Sequence, residues 1–349
     1  MLRTFSYVVW VYGLLVHSVL PSTSTRVARV GVDSRNDDDD ASPVIIYGGL
    51  VSDRTTVPWM AYLTTPEDNA KCGGSLISAR VILTAAQCVT YDSGGSPVKS
   101  SAVTYQLGGI TTSSLDEIDN GEFSATQMDP NAIVVHEGYT GTTRFVHDVA
   151  LVKMLTPVAV FTNSIRPVVL AAQDSSPEGL PVTILGWGFT ESGSYSVNLL
   201  SAGTDIRTND VCQSYWNCPL QPTFFDPALQ TCFGGRGSNG ICTGDGGGPV
   251  IHGWGPDAVQ VGINSFVRPP SSFAGPCNVA ISKSGYFSQF LHGVLTGLLM
   301  GSNSATSSSS MSQRQTRLEC GINTPAVGPK VGAYRAWIDF NADALATSA

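Results

Sequence analysis

The chain is 349 residues long, 42% hydrophobic and only 13% charged, with 37 glycines, 20 prolines and a formal net charge of −8. That length supplies core for one large all-β domain or two ordinary ones, and the glycine and proline content favours short strands and tight turns over long surface helices. An acidic chain with no basic stripe has nothing to displace counterions from a phosphate backbone, which argues against a nucleic-acid partner.

The first element is an export pattern: Arg3, an apolar run from Tyr7 to Leu20, and the small residues Ser22 and Ser24. Gly13, His17 and Ser18 interrupt the run, which falls short of the about 20 apolar residues a membrane helix needs, so no membrane span is expected. We therefore expect a signal peptide over 1–24 and a secreted, extracellular protein. Residues 25–45 are polar and contain Asp37-Asp38-Asp39-Asp40, an acid run too well solvated to pack and expected to form a propeptide-like linker.

Short strands follow. Pro58-Trp59-Met60-Ala61-Tyr62-Leu63 alternates as a half-buried strand does. Then come Cys72-Gly73-Gly74-Ser75-Leu76-Ile77, Leu83-Thr84-Ala85-Ala86-Gln87-Cys88, His147-Asp148-Val149-Ala150-Leu151-Val152-Lys153 and Gly186-Trp187-Gly188. Gly244-Asp245-Gly246-Gly247-Gly248-Pro249, Val261-Gly262-Ile263-Asn264-Ser265-Phe266 and Val331-Gly332-Ala333-Tyr334-Arg335-Ala336-Trp337-Ile338 complete the series. In this order the segments resemble the trypsin and chymotrypsin family of serine proteases almost from end to end. The resemblance implies an all-β fold of two packed six-stranded antiparallel β-barrels with a C-terminal α-helix, the cleft lying between the barrels. It places the domain at 46–343 and leaves 344–349 as a tail.

Two positions depart from the family where its chemistry lies. Gln87 stands in the histidine slot of L-T-A-A-H-C, and Gly246 stands in the serine slot of G-D-S-G-G-P, while Asp148 keeps the aspartate. In that mechanism serine attacks the carbonyl, histidine takes the proton and aspartate orients the histidine. Glycine has no side chain to attack with, and a neutral amide takes up no proton near pH 7. The resemblance therefore implies triad-equivalent positions Gln87, Asp148 and Gly246 without catalysis, no cofactor, and oxyanion-hole-like backbone donors at Gly244 and Gly246. Gly240, Ser265, Phe266 and Val267 would outline the specificity pocket, with nothing at Gly240 to select lysine or arginine. Asp245 pairs with a new amino terminus in active relatives, but Ile45-Ile46 is not a tryptic bond, so a hydrogen-bonded loop carboxylate is expected instead. His147 should point away from the cleft because neighbours on a strand face opposite ways. His136 is expected at the surface and His252 as a structural histidine.

Eight cysteines, none in a C-x-x-C arrangement, favour disulfides over zinc. By resemblance Cys72 pairs with Cys88, Cys232 with Cys212 or Cys218, and Cys242 with Cys277 or Cys320. Asp116, Glu117, Asp119 and Glu122 cluster, but their spacing does not match the family's calcium loop; a solvated acidic turn and no metal are expected. Residues 278–317 depart from the pattern and contain a serine-rich run, which reads either as a surface insertion or as a gene-model artefact. The functional expectation is a secreted, inactive protease homologue that binds another extracellular protein or hydrolase as decoy, inhibitor or cofactor. The oomycete glucanase inhibitors are of this type. The alternative is a serine endopeptidase in which Gly246 and Gln87 are sequence errors.

Overall fold

The strand expected over Pro58–Leu63 begins only at Met60, where β2 (Met60–Thr64) buries Met60, Ala61 and Leu63 and leaves Tyr62 and Thr64 half-buried; Pro58 and Trp59 lie buried in the turn before it. This computed structural model describes residues 49–112, 123–141, 145–190, 192–217, 224–236, 239–267 and 324–347. The expected export signal and linker, Ile46, the acidic cluster from Asp116 to Glu122, Cys218, Cys277, Cys320 and the segment 278–317 lie outside these residues.

The first sheet also contains β3 (Lys71–Leu76), β4 (Val81–Thr84), β7 (Val103–Leu107), β8 (Phe123–Gln127), β9 (Ile133–Val135) and β10 (Ala150–Lys153), in the order β8-β7-β2-β3-β4-β10-β9. β8 and β9 are two ends of one segment bent at the 3-10 turn Pro130–Ala132. One end pairs with β7 and the other with β10, so the seven stretches close as a six-membered ring. A hairpin of β5 (Thr90–Asp92) and β6 (Pro97–Lys99) stands outside it.

The second sheet runs β1-β13-β12-β15-β16-β11, from β1 (Gly49–Leu50), β11 (Val169–Leu170), β12 (Pro181–Gly186), β13 (Leu200–Asp205), β15 (Pro249–His252) and β16 (Val259–Ile263). β14 (Gln230–Phe233) pairs with β17 (Ala326–Pro329). Bridges from Ile206 to Phe233 and from Gly262 to Lys330 join that pair to β13 and β16 and close the second ring. Pairing within the two rings is antiparallel; only the two-residue β11 lies parallel to its neighbour β16. Two short helices complete the described fold, α1 (Asn209–Trp216) and α2 (Val331–Thr347).

One apolar cluster runs through both halves, from Trp59, Leu63, Ile82 and Tyr105 to Ile184, Val250 and Ile263. Polar ties cross within it. Ser75 Oγ donates to Gln260 Oε1 at 2.6 Å in a buried setting, and Gly73 N–H donates to the Gly246 carbonyl at 2.8 Å.

Helix α2 buries Val331, Tyr334, Ile338 and Leu345, a helical stripe that faces β10 and β16. It continues past the boundary expected at 343, because Leu345 is buried, so residues 344–347 are helix rather than tail. Tyr334 and Trp337 meet two imidazoles. His136 and His147 stack with centroids 4.5 Å apart and planes within 5°, the Tyr334 hydroxyl lies 3.1 Å from His147 Nδ1, and Trp337 Nε1 donates to Glu137 Oε2 at 2.9 Å. His147 meets α2, and the strand alternation expected to turn it from the cleft does not apply, because it sits in a turn ahead of β10 with φ at 59°. A Cβ at Gly138 would come 2.6 Å from its ring, so a side chain there would displace the imidazole.

Burial and the neighbouring His147 hold His136 below the usual imidazole range, against the opposing pull of Glu137. A histidine whose folded pKa is depressed contributes stability that is present above its unfolded pKa of about 6.5 and is lost as pH falls through it. Hydrogen exchange of the α2 amides, corrected for intrinsic rate, should therefore speed up between about pH 7.5 and about pH 5. His136→Gln should flatten most of that change.

Candidate functional site

The sequence-predicted residues converge on one cleft between the two sheets. β4 ends at Thr84, Ala85 is extended, and a single 3-10 turn over Ala86–Cys88 carries Gln87. The disulfide Cys72–Cys88 ties this turn to β3. Gln87 reaches Asp148 twice: its backbone N–H donates to Oδ1 and its Nε2 donates to Oδ2, both at 2.8 Å. The second Nε2 hydrogen goes to the Ser265 carbonyl at 2.7 Å, and the Ser265 hydroxyl donates to Asp148 Oδ2 at 2.5 Å. Asp148 is fully buried behind these groups, and burial pushes its carboxyl up to about 6 although the bonds from Ser265 and Gln87 pull it down. Four hydrogen-bonding contacts thus join Gln87, Asp148 and Ser265 across the cleft.

The glycine loop closes the other side. Gly247 N–H donates to the Asn264 carbonyl and Asn264 N–H to the Gly248 carbonyl, each at 2.8 Å. Gly247 has φ at 78°, and a Cβ there would lie 2.2 Å from Thr84 Oγ1; Gly244 has φ at 99° and packs under the Tyr195 ring. These positions demand glycine. Gly246 does not: its φ lies outside the left-handed region, and a Cβ would meet only Cys88 Sγ at 3.7 Å, Gln87 Nε2 at 3.8 Å and Cys72 Sγ at 4.0 Å. The backbone there has room for a Cβ. Its absence leaves a gap over the disulfide.

Asp245 points away from the cleft and is fully buried. It accepts from Gly188 N–H and Cys242 N–H, each at 2.8 Å, and burial pushes its carboxyl up to about 7 against those two bonds. It approaches the backbone so closely that a Cβ at Gly186 or Gly188 would fall 1.9 Å and 2.5 Å from its carboxyl atoms, which accounts for both glycines around Trp187.

A cavity of about 490 Å³ opens between these walls, lined among others by Gln87, Gly244, Gly246, Ser265, Phe266 and Val267. Gly240 is buried and is not among its lining residues, unlike the other pocket positions expected from the sequence. Several lining residues were not singled out by the sequence. Phe145 stacks on Phe266 with centroids 4.9 Å apart, and Lys71 Nζ lies 4.2 Å from the centre of the Tyr195 ring; Trp216, outside the lining, backs Phe266 edge-on at 5.1 Å. None of these carries a short-range motif. His252 Nδ1 lies 2.8 Å from the Pro181 carbonyl, away from this site.

Cys232 bonds to Cys212, the first of the two partners left open for it, and Cys242 is also in a disulfide whose other half lies outside the described residues. Among the described residues no group of three or more histidines, cysteines or carboxylates has metal-site geometry, and no helix is long and apolar enough to cross a membrane.

The sequence pattern of the trypsin family matches residues 46–287. Trypsin zeta of Drosophila erecta is 30% identical over 216 residues, covering 59% of this chain and 72% of that protein. Trypsin zeta of Drosophila melanogaster is 29% identical over 255 residues, covering 69% and 84%. Glucanase inhibitor protein 4 of Phytophthora infestans is 28% identical over 254 residues, covering 71% and 89%.

The donors on Asp148 set a pH test. A carboxyl whose folded pKa is raised contributes stability that is complete below its unfolded pKa near 4 and is lost as pH rises through the folded value, here about 6 for Asp148 and about 7 for Asp245. Gln87→Met keeps the volume but removes the side-chain donor, so Asp148 ionises at greater cost. Denaturant unfolding should show the variant less stable by about 1–3 kcal/mol at pH 8, with a smaller gap at pH 5. An equal gap at both values would mean that the amide does not support the carboxylate.

Proposed function

The chain belongs to the trypsin family, and from that premise we propose that it works by binding and not by cutting. The observation that supports this is the state of Gln87: both hydrogens of its side-chain amide are directed, one to Asp148 and one to the Ser265 carbonyl. A donor stands where catalysis would need a proton acceptor. Opposite it, Gly246 offers no nucleophile to be activated. Without both groups, turnover would be lower by about a millionfold than in a complete site.

We take the protein to be secreted, on the strength of the export pattern at its amino terminus and of the disulfides Cys72–Cys88 and Cys212–Cys232, which persist in oxidising compartments. Its partner would be another extracellular protein, with a hydrolase the first class to test, since a relative matched over 89% of its length is named as a glucanase inhibitor. The cleft remains a shaped, partly aromatic cavity, and the gap at Gly246 would let a bound loop rest there uncut.

A second reading keeps one observation on its side. Because the backbone at Gly246 has room for a Cβ, a serine endopeptidase with sequence errors at positions 246 and 87 meets no clash at that atom. Sequencing the transcript separates the two readings directly.

Purified protein freed of the expected signal peptide, residues 1–24, should take up no fluorophosphonate probe and hydrolyse no peptide substrate. Stoichiometric labelling would overturn the binding reading. The variant carrying Gly246→Ser and Gln87→His should regain labelling, but only after an engineered cut ahead of Ile46, because Asp245 is held by backbone N–H groups rather than by an amino terminus in the described structure. Full activity of the uncut double variant would contradict that account of Asp245.

A further inference from the structure

Two imidazoles lie outside the cleft but share a turn with it. His136 and His147 stack face to face, and His136 Nδ1 accepts the Gly138 N–H at 3.0 Å, which leaves the proton of that ring on Nε2. The His147 ring rests against Gly138 in turn, at the place where a Cβ would meet it at 2.6 Å, and the Tyr334 hydroxyl lies 3.1 Å from its Nδ1. His147 ends a short turn that begins at Phe145. Both residues have left-handed φ, 59° and 49°, although neither is glycine, so the turn is held by what surrounds it and not by its own preference. At its far end the Phe145 carbonyl accepts from Gln230 Nε2 at 3.3 Å, and the Phe145 ring stacks on Phe266, where both residues line the cavity.

We propose that the His136–His147 pair is a pH-sensitive switch on the cleft: a proton taken up at His136 Nδ1 sets a donor against the Gly138 N–H, unseats His147 and lets the turn relax, so that the Phe145 ring leaves Phe266. An imidazole gains its charge just below neutral pH, and this one loses a hydrogen bond in doing so. Two rings stacked 4.5 Å apart also resist carrying a charge each. Among the described residues, the groups facing the pair are Glu137, which favours the proton, Tyr334 and Trp337, which approach uncharged from α2, and Asp148 and Asp226, which act on the Tyr334 hydroxyl. Burial outweighs Glu137, so the seated form prevails at neutral pH and acid releases it. The coupling concerns the cleft wall itself and does not depend on which partner the cleft holds.

The test reads the wall directly, on the folded protein carrying 4-fluorophenylalanine at position 145. Its fluorine resonance and the His136 ring proton on Cε1 are followed by NMR from about pH 7.5 to about pH 4.5. The ring-current shift that Phe266 imposes on the fluorine should be lost as pH falls, with the same midpoint as His136. In His136→Gln the fluorine signal should keep its neutral-pH position throughout. Glu137→Gln still offers an oxygen to Trp337 Nε1 but no longer pulls the proton onto His136, so both midpoints should move together to lower pH. A fluorine signal that stays fixed while His136 titrates would overturn the coupling. So would a shift that survives in folded His136→Gln, since the neighbouring Asp148 would then be its source. If His136→Gln does not fold, Glu137→Gln decides: a His136 midpoint that moves without the fluorine midpoint rejects the proposal.

Discussion

A carboxylate sealed from water must find donors or give up its charge, and the arrangement of the cleft follows from how Asp148 meets that demand. Three of its hydrogen bonds come from two residues on different sheets, Gln87 and Ser265. Gln87 can supply two of them only because the Cys72–Cys88 bridge holds its turn against β3, bringing backbone and side chain to the same carboxylate. Ser265 is fixed by the Phe266–Val327 pair beside it. An ion with these requirements acts as a template: it dictates where the ends of two barrels must meet.

Asp245 shows the same constraint solved at close quarters. With two backbone N–H groups as its described partners, it draws the main chain so near that Gly186 and Gly188 have no room for a side chain. The two acids differ in what they organise. Asp148 joins side chains across the cleft, while Asp245 fixes the backbone of the loop that ends at Pro249.

The barrels were legible in the sequence because short strand segments and the glycine-rich segments are local signals. The strand read over Pro58 to Leu63 forms only from Met60, with Pro58 to Ala61 all buried rather than alternating, and the glycines at 244, 247, 186 and 188 stand where close contacts exclude a side chain. The pairing Cys72–Cys88 followed from family resemblance, as did the convergence of Gln87, Asp148 and Ser265 on one cleft. The bond from Gln87 to the Ser265 carbonyl was not legible, since it joins residues 178 apart and uses a main-chain atom that leaves no trace in residue identity. The stacking of Phe145 on Phe266 was hidden for the same reason. The end of α2 was misjudged because Leu345 stands alone in a small-residue run, and only the surface it covers reveals that it is core.

The ties across the cleft are also mechanical fixings. One runs from Gln87 to the Ser265 carbonyl, a second from Gly73 N–H to the Gly246 carbonyl, and a third from Ser75 to Gln260 deeper in the interior. Bodies joined at one point can rotate about it, but bodies pinned at three separated points keep their angle. Three separated ties thus oppose rotation of one barrel against the other at this groove. A rigid guest of matching shape meets it with little ordering left to do, whereas a floppy one must give up its own freedom to enter.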